Sequence, residues 1–142
     1  MEAPSFQGCD YLGNRLASDG YVVVSVNANR GIAGVNNAPG VDDDGLILAR
    51  GRLVLRHLET LSNWNKTKGT SKPFLNDVDL FGKLNFTQVG LFGHSRGGEG
   101  VLATYSLYSG DPVTDWKIRI GTVDFQGIFE LAPTDLRGFS SG

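Results

Sequence analysis

The stretch Gly93-His94-Ser95-Arg96-Gly97 follows the apolar run Gln88-Val89-Gly90-Leu91-Phe92 and precedes a segment with the pattern of a helix. A G-x-S-x-G motif between a strand and a helix is the arrangement of a nucleophile elbow. In such a turn the chain passes sharply from strand to helix and raises the serine hydroxyl above the sheet, so the neighbouring positions have almost no room for side chains. Gly93 and Gly97 meet this requirement. Ser95 is therefore the leading candidate for a functional residue.

The rest of the chain alternates between helical and strand patterns, which predicts a mainly parallel sheet with helices on both faces. The first predicted elements are a short helix capped by Asp10 and stopped by Gly20, a buried strand over Tyr21–Val26 and a long loop over Asn27–Gly40. A helix that begins at Asp42-Asp43-Asp44 and ends near Leu61 follows, and then a polar surface excursion over Asn63–Lys83. The last predicted elements are a strand over Gln88–Phe92, a helix that ends at Ser109-Gly110, and a further strand within Ile118–Leu131.

Several polar residues follow the predicted strand ends, where parallel sheets bind their ligands. Asn27, Asn29 and Arg30 come directly after the first strand, and Asp135 comes after the last. We expect them to gather near Ser95 as a possible pocket rim. For Asp135 a turn residue is favoured over a catalytic acid, and turn chemistry explains the two asparagines about as well as a site does.

Composition limits the classes of partner. The 142 residues make about one domain, and 13 Lys and Arg against 15 Asp and Glu leave a formal net charge of -2. This balance creates no global field for nucleic acid or an anionic membrane, and no apolar run reaches the length of a membrane span. The single cysteine, Cys9, allows no intrachain disulfide and lies near no metal-ligand cluster. We therefore expect no metal, no cofactor, no nucleic acid and no membrane span, while the compartment stays open.

Three runs carry a resemblance to a known family: Gly93–Val101, Leu16–Val23 and Leu131-Ala132-Pro133. They resemble α/β-hydrolase-fold serine hydrolases, above all the dienelactone hydrolase, acetylhydrolase and polyester-hydrolase (cutinase-like) branch, and the resemblance covers most of the chain in order. It implies that Ser95 is the nucleophile of a lipase-like esterase and that the backbone N–H of Arg96 is one oxyanion donor. The implied substrate is a small-molecule or polymeric ester.

The family order is serine, then Asp or Glu, then histidine, and no histidine follows Ser95. His94 lies inside the elbow and His57 lies upstream on a predicted helix, so neither fits the family base. We expect the chain to be one partial α/β-hydrolase domain whose acid, histidine and later strands lie beyond Gly142 and whose second oxyanion donor precedes or overlaps its first residues. On that expectation this chain alone shows little or no turnover.

Two other classes of function compete with this interpretation. Gly98-Glu99-Gly100-Val101-Leu102-Ala103 fits the dinucleotide pattern G-x-G-x-x-A, but its glycines begin inside a predicted helix, and the sequence contains no P-loop. Nucleotide binding is therefore discounted, and Arg96 and Glu99 are expected to form a local ion pair on the helix instead. The stronger alternative is a non-catalytic α/β-hydrolase-like module that binds or scaffolds.

Overall fold

The computed structural model describes residues 7–28 and 46–133. The chain divides into two compact units, Met1–Ala33 and Gly34–Gly142. The elements of the described residues are α1 (Asp10–Ser18), α2 (Ile47–Lys66), β1 (Val89–His94), α3 (Arg96–Gly110), α4 (Trp116–Ile120) and β2 (Phe125–Leu131). None of these helices combines the length and the apolarity needed to cross a membrane.

In the first unit, α1 ends as the sequence predicts but begins one residue earlier. Cys9 holds the N-cap position and Asp10 is the first helical residue, so the prediction of Asp10 as the cap was wrong. A carboxylate in the first turn still interacts favourably with the helix dipole. The helix ends at Ser18, and Gly20 stops it as predicted: its φ of +92° is accessible to a residue without a Cβ, and the N–H of Tyr21 donates to the carbonyl of Leu16 at 3.1 Å.

The predicted buried strand over Tyr21–Val26 was wrong. Residues 21–28 form neither helix nor strand, and Tyr21 through Val24 are between 43% and 59% exposed. An apolar, β-branched run becomes a strand only when a neighbouring strand supplies the hydrogen-bond ladder and the packing partners. Within the residues that the structure describes, this run joins no ladder.

The second unit is built on the pair α2 and α3. The helix predicted to end near Leu61 is confirmed as α2, which continues to Lys66. Its predicted start at Asp42-Asp43-Asp44 lies outside the described residues. Gly51 lets the two helices approach closely, because a Cβ there would lie 2.9 Å from Cδ1 of Leu107 and 3.0 Å from the Cβ of Ala103. The core formed around this contact contains Leu55, Leu58, Ala103, Leu107, Tyr108, Trp116, Ile120 and Val123.

The sheet pairs β1 with β2 in parallel, which confirms a mixed α/β arrangement with two strands in the described part of the chain. β1 runs to His94, past the predicted end at Phe92. On one face Leu91 and Gly93 are buried, and α3 packs there. On the other face Phe92 and Phe129 are exposed and stack on each other with ring centroids 5.6 Å apart.

The further strand predicted within Ile118–Leu131 is confirmed as β2, but it occupies only the second half of that range. Ile118-Arg119-Ile120 at the beginning of the range belongs to the short helix α4. The carboxylate of Asp115 caps that helix by accepting a hydrogen bond from the N–H of Ile118 at 3.0 Å. Trp116 and Ile120 are four residues apart and only 1% and 2% exposed, so the apolar period of this segment is helical. The strand itself begins at Phe125.

A partly buried ion pair joins α2 to the end of α3. The guanidinium of Arg52 donates two hydrogen bonds of 2.9 Å to the carboxylate of Asp111, whose side chain has no exposed surface. Trp116 Nε1 donates a third bond, of 2.8 Å, to the same carboxylate. The Arg52 guanidinium holds the pKa of Asp111 far below its usual range, with further lowering by the N–H of Val113 and the indole. The carboxylate thus connects α2, α3 and α4.

The segment between α2 and β1 is a surface excursion made of turns, as predicted, but it has a small interior of its own. The last turn of α2 occupies the beginning of the predicted excursion. Two residues of the excursion, Ser71 and Leu80, are buried. The Ser71 hydroxyl donates to the carbonyl of Val78 and accepts from the N–H of Leu80, both at 2.9 Å. These bonds give a structure of closed turns to a segment that the sequence alone marks only as polar.

Candidate functional site

Ser95 is the turn residue between β1 and α3 and has an unusual backbone conformation. Its φ of 56° and ψ of -127° lie outside the regions that residues with a Cβ normally occupy. Such a conformation costs about 1–3 kcal/mol and persists only where the surroundings impose it. Two hydrogen bonds of 2.9 Å do so: the Ser95 N–H donates to the carbonyl of Leu131, and its carbonyl accepts from the N–H of Gly98.

Glycine at position 93 is a steric requirement. A Cβ on Gly93 would overlap the carbonyl group of Gly97 and lie 2.7 Å from the nitrogen of Gly98. A Cβ on Gly97 itself would meet nothing within 4 Å. Both Gly93 and Gly97 were predicted to be required. The structure shows the requirement at Gly93, because the backbone of Gly97 occupies the space that a side chain would need, and not at Gly97.

Gly98 is a further glycine of this turn that the motif alone does not include. A Cβ on Gly98 would lie 3.2 Å from Pro133 and 3.4 Å from the Cβ of Glu130, closer than most Cβ contacts in proteins. The first turn of α3 therefore lies directly against the end of β2. The doubled glycine in the sequence was the available signal for this close approach.

The Ser95 hydroxyl lies at the N-terminal end of α3. Ser95 is half-buried, and its hydroxyl makes no hydrogen bond to any residue that the structure describes. Arg96 follows it as the first residue of the 15-residue helix α3. The first N–H groups of a helix have no acceptor within the helix and carry the positive end of its dipole. A negative charge that develops beside Ser95 would be stabilised at this helix end.

Neither histidine is hydrogen-bonded to Ser95. His57 Nδ1 lies 2.8 Å from the carbonyl of Leu53 one turn earlier in α2, so this nitrogen donates to the helix backbone. His94 is the exposed last residue of β1 and shares a strand face with Phe92, opposite the face on which α3 packs. The described residues therefore place no general base on the Ser95 hydroxyl.

The predicted pocket rim lies largely outside the described residues. Asn29, Arg30 and Asp135 fall there, and Asn27 is an exposed residue of the first unit. Arg96 and Glu99 are both half-buried on α3, and the ion pair between them stays a prediction. Within residues 7–28 and 46–133, no three His, Cys, Asp or Glu side chains form a group that could hold a metal ion.

An open depression of about 480 Å³ lies at the other end of β2, beside its first residue Phe125. Tyr108, which lines the depression, already forms hydrogen bonds within the protein. The Tyr108 hydroxyl donates to the carbonyl of Gly121 and accepts from the N–H of Val123, both at 2.8 Å. Ser95 is bonded to Leu131 at the opposite end of the strand, so this depression is not part of the Ser95 site.

Comparison of the chain with protein-family models, with curated proteins and with solved structures finds no match. The chemistry of the site is therefore inferred from its own geometry.

Proposed function

We propose that this protein is a serine hydrolase that cleaves carboxylic esters through an acyl-enzyme on Ser95. The observation that carries the proposal is the backbone of Ser95, a residue with a Cβ held at φ 56° between a parallel strand and a helix. A strained strand-to-helix turn that presents a serine hydroxyl is how the α/β-hydrolase fold displays its nucleophile. The proposal accordingly includes that fold, with helices on both faces of a larger parallel sheet.

The proposed reaction has two halves. The Ser95 oxygen attacks the ester carbonyl carbon while a general base takes the hydroxyl proton, and the carbonyl oxygen becomes an oxyanion. The Arg96 N–H and a second donor stabilise that oxyanion at the beginning of α3. The intermediate expels the alcohol, which receives the proton, and leaves Ser95 acylated. Water then attacks the acyl group by the same route and restores the serine.

The proposed reaction also needs a general base that takes the proton of the Ser95 hydroxyl. His57 bonds to its own helix and His94 lies on the opposite face of the sheet, so the proposal assigns the base to a group outside residues 7–28 and 46–133. The described residues then supply the nucleophile and the first oxyanion donor of the proposed site.

Labelling by a fluorophosphonate probe tests the nucleophile directly, because the probe phosphonylates activated serines. We expect labelling and p-nitrophenyl acetate hydrolysis by the full-length gene product, both abolished in Ser95→Ala. Ser106→Ala is the matched control, since Ser106 is an exposed serine on the same helix and forms no part of the turn. Mass spectrometry of the labelled peptide identifies the modified residue.

Two results would contradict the proposal. Esterase activity that survives in Ser95→Ala would assign the reaction to another residue. A correctly folded full-length protein that neither binds the probe nor hydrolyses the ester would favour the non-catalytic module, in agreement with a hydroxyl that no described base contacts.

A further inference from the structure

A second strained residue lies beside Ser95. Ala132 follows β2 directly and has a φ of 44°, just as Ser95 follows β1 directly and has a φ of 56°. In the register of the sheet His94 is the partner of Leu131, so Ser95 and Ala132 are the next residues of two neighbouring strands. Residues with a Cβ seldom adopt a positive φ, and such residues cluster at functional sites, where the surroundings hold them in place. The two residues therefore form one strained edge of the sheet.

Residues 131–133, here the 131–133 turn, contact the turn around Ser95 at two points. The carbonyl of Leu131 accepts a hydrogen bond from the N–H of Ser95 at 2.9 Å. The second point is the first turn of α3, where a Cβ at Gly98 would lie 3.2 Å from the Cβ of Pro133 and 3.4 Å from its Cα. The N–H of the same Gly98 donates to the carbonyl of Ser95 at 2.9 Å. The peptide groups on both sides of Ser95 are thus fixed by contacts that lead to the 131–133 turn.

Pro133 is suited to hold this position without belonging to the core. Its ring fixes its own φ near about -65° and restricts the residue before it, so the turn has few other conformations. Pro133 is exposed, and the hydrophobic core of the second unit lies elsewhere, around Leu55 and Trp116. The contact of Pro133 with Gly98 therefore buries little apolar surface, and its main physical effect is to fix where α3 begins.

We propose that Pro133 is a positioning residue for the Ser95 nucleophile, an inference that rests on the proposed function. Pro133 packs on Gly98, and Gly98 holds the carbonyl of Ser95. In the proposed reaction the direction of the Ser95 oxygen and the place of the Arg96 N–H both depend on this turn, and a displacement of about 1 Å can cost about a hundredfold in rate. Loss of the contact should lower the rate of reaction at Ser95 and leave substrate binding nearly unchanged.

The kinetics of fluorophosphonate labelling separate these two effects. In the full-length gene product, the limiting rate at saturating probe measures the reactivity of Ser95, and the half-saturating probe concentration measures binding. We expect Pro133→Gly to lower the limiting rate about tenfold and to change the half-saturating concentration less than about twofold. Pro133→Ala keeps the Cβ that faces Gly98 and should retain most of the rate. Urea denaturation of each variant gives the folded fraction by which its rate is corrected.

A double-mutant cycle between positions 98 and 133 tests the contact itself. Gly98→Ala places a Cβ 3.2 Å from the Cβ of Pro133, so we expect the limiting rate to fall about tenfold. In the double variant, Gly98→Ala with Pro133→Gly, the Cβ at position 133 is absent, so the loss should be smaller than the product of the two single losses. Gly110→Ala is the matched control, because Gly110 is the last residue of α3 and a Cβ there meets nothing within 4 Å.

The possible outcomes are distinguishable. Lower limiting rates in Pro133→Gly and Gly98→Ala, with coupling between them and no loss in Gly110→Ala, support the proposal. A wild-type rate in folded Pro133→Gly, or independent losses at the two positions, overturns it, while labelling of Ser95 still supports the proposed function. A loss that disappears after correction for the folded fraction assigns Pro133 a purely structural role and also overturns it. Absence of labelling in the folded wild type contradicts the proposed function, and this inference with it.

Discussion

Gly93 and Gly97 lie back to back where β1 passes into α3, and a methyl group at position 93 would overlap the carbonyl of Gly97. Because both backbones belong to regular elements, neither can move aside cheaply. We expect Gly93→Ala to lower the free energy of unfolding by about 3 kcal/mol, as overpacking does. Gly90→Ala in the same strand is the control, since a Cβ there meets nothing within 4 Å, and it should have little effect. Urea denaturation followed by circular dichroism measures both variants.

Replacement of Ser95 by glycine should stabilise the folded protein. Its φ of 56° is strained for any residue with a Cβ, and glycine adopts it freely. We expect Ser95→Gly to raise the free energy of unfolding by about 1 kcal/mol, while Ser95→Ala leaves it nearly unchanged. The comparison of the two urea midpoints isolates the backbone strain from loss of the hydroxyl. A glycine variant no more stable than the alanine variant would show that the turn is not strained.

Asp111 should be among the most sensitive polar positions. Asp111→Asn removes the charge that Arg52 contacts through two bonds and leaves a partly buried network without its full set of partners. We expect a loss of about 3 kcal/mol in the free energy of unfolding. Asp115→Asn is the matched control, because asparagine caps a helix as well as aspartate does. Similar urea midpoints for these two variants would exclude a structural role for the ion pair.

The same carboxylate predicts a specific acid sensitivity. Its folded-state pKa is lowered, so its contribution to stability is complete above the unfolded-state pKa of about 4 and declines as the pH falls below that value. We expect the wild-type free energy of unfolding to fall more steeply than that of Asp111→Asn below about pH 4. Urea midpoints measured through this range give both slopes. Parallel slopes for the two proteins would assign the acid sensitivity to other groups.

The helices were largely predictable because their signals are local. The apolar stripe of α2 and the glycine stop after α1 lie within a few residues of the structure that they specify. Errors fell at the ends, where capping depends on individual contacts: Cys9 rather than Asp10 precedes α1, and α2 continues to Lys66. The turn around Ser95 was predictable for the same reason, since the motif contains the residues that build it.

Strands were less predictable because they depend on distant partners. β2 formed where Phe125–Leu131 could pair with β1, whereas the more apolar run Tyr21–Val26 joins no ladder in the described residues. The run Ile118–Ile120 has strand-like composition, but the cap at Asp115 and the burial of Trp116 make it helical. Local composition does not distinguish these outcomes.

By itself, the sequence determined the position of the serine in a glycine-flanked turn between strand and helix, because that turn is specified by five consecutive residues. Only the tertiary structure decided what holds the turn in place. The bond from Ser95 to Leu131, the close contact of Gly98 with Pro133, and the pair of Arg52 with Asp111 each join residues far apart in the chain. Such contacts depend on how the elements pack, and packing is a property of the folded chain as a whole.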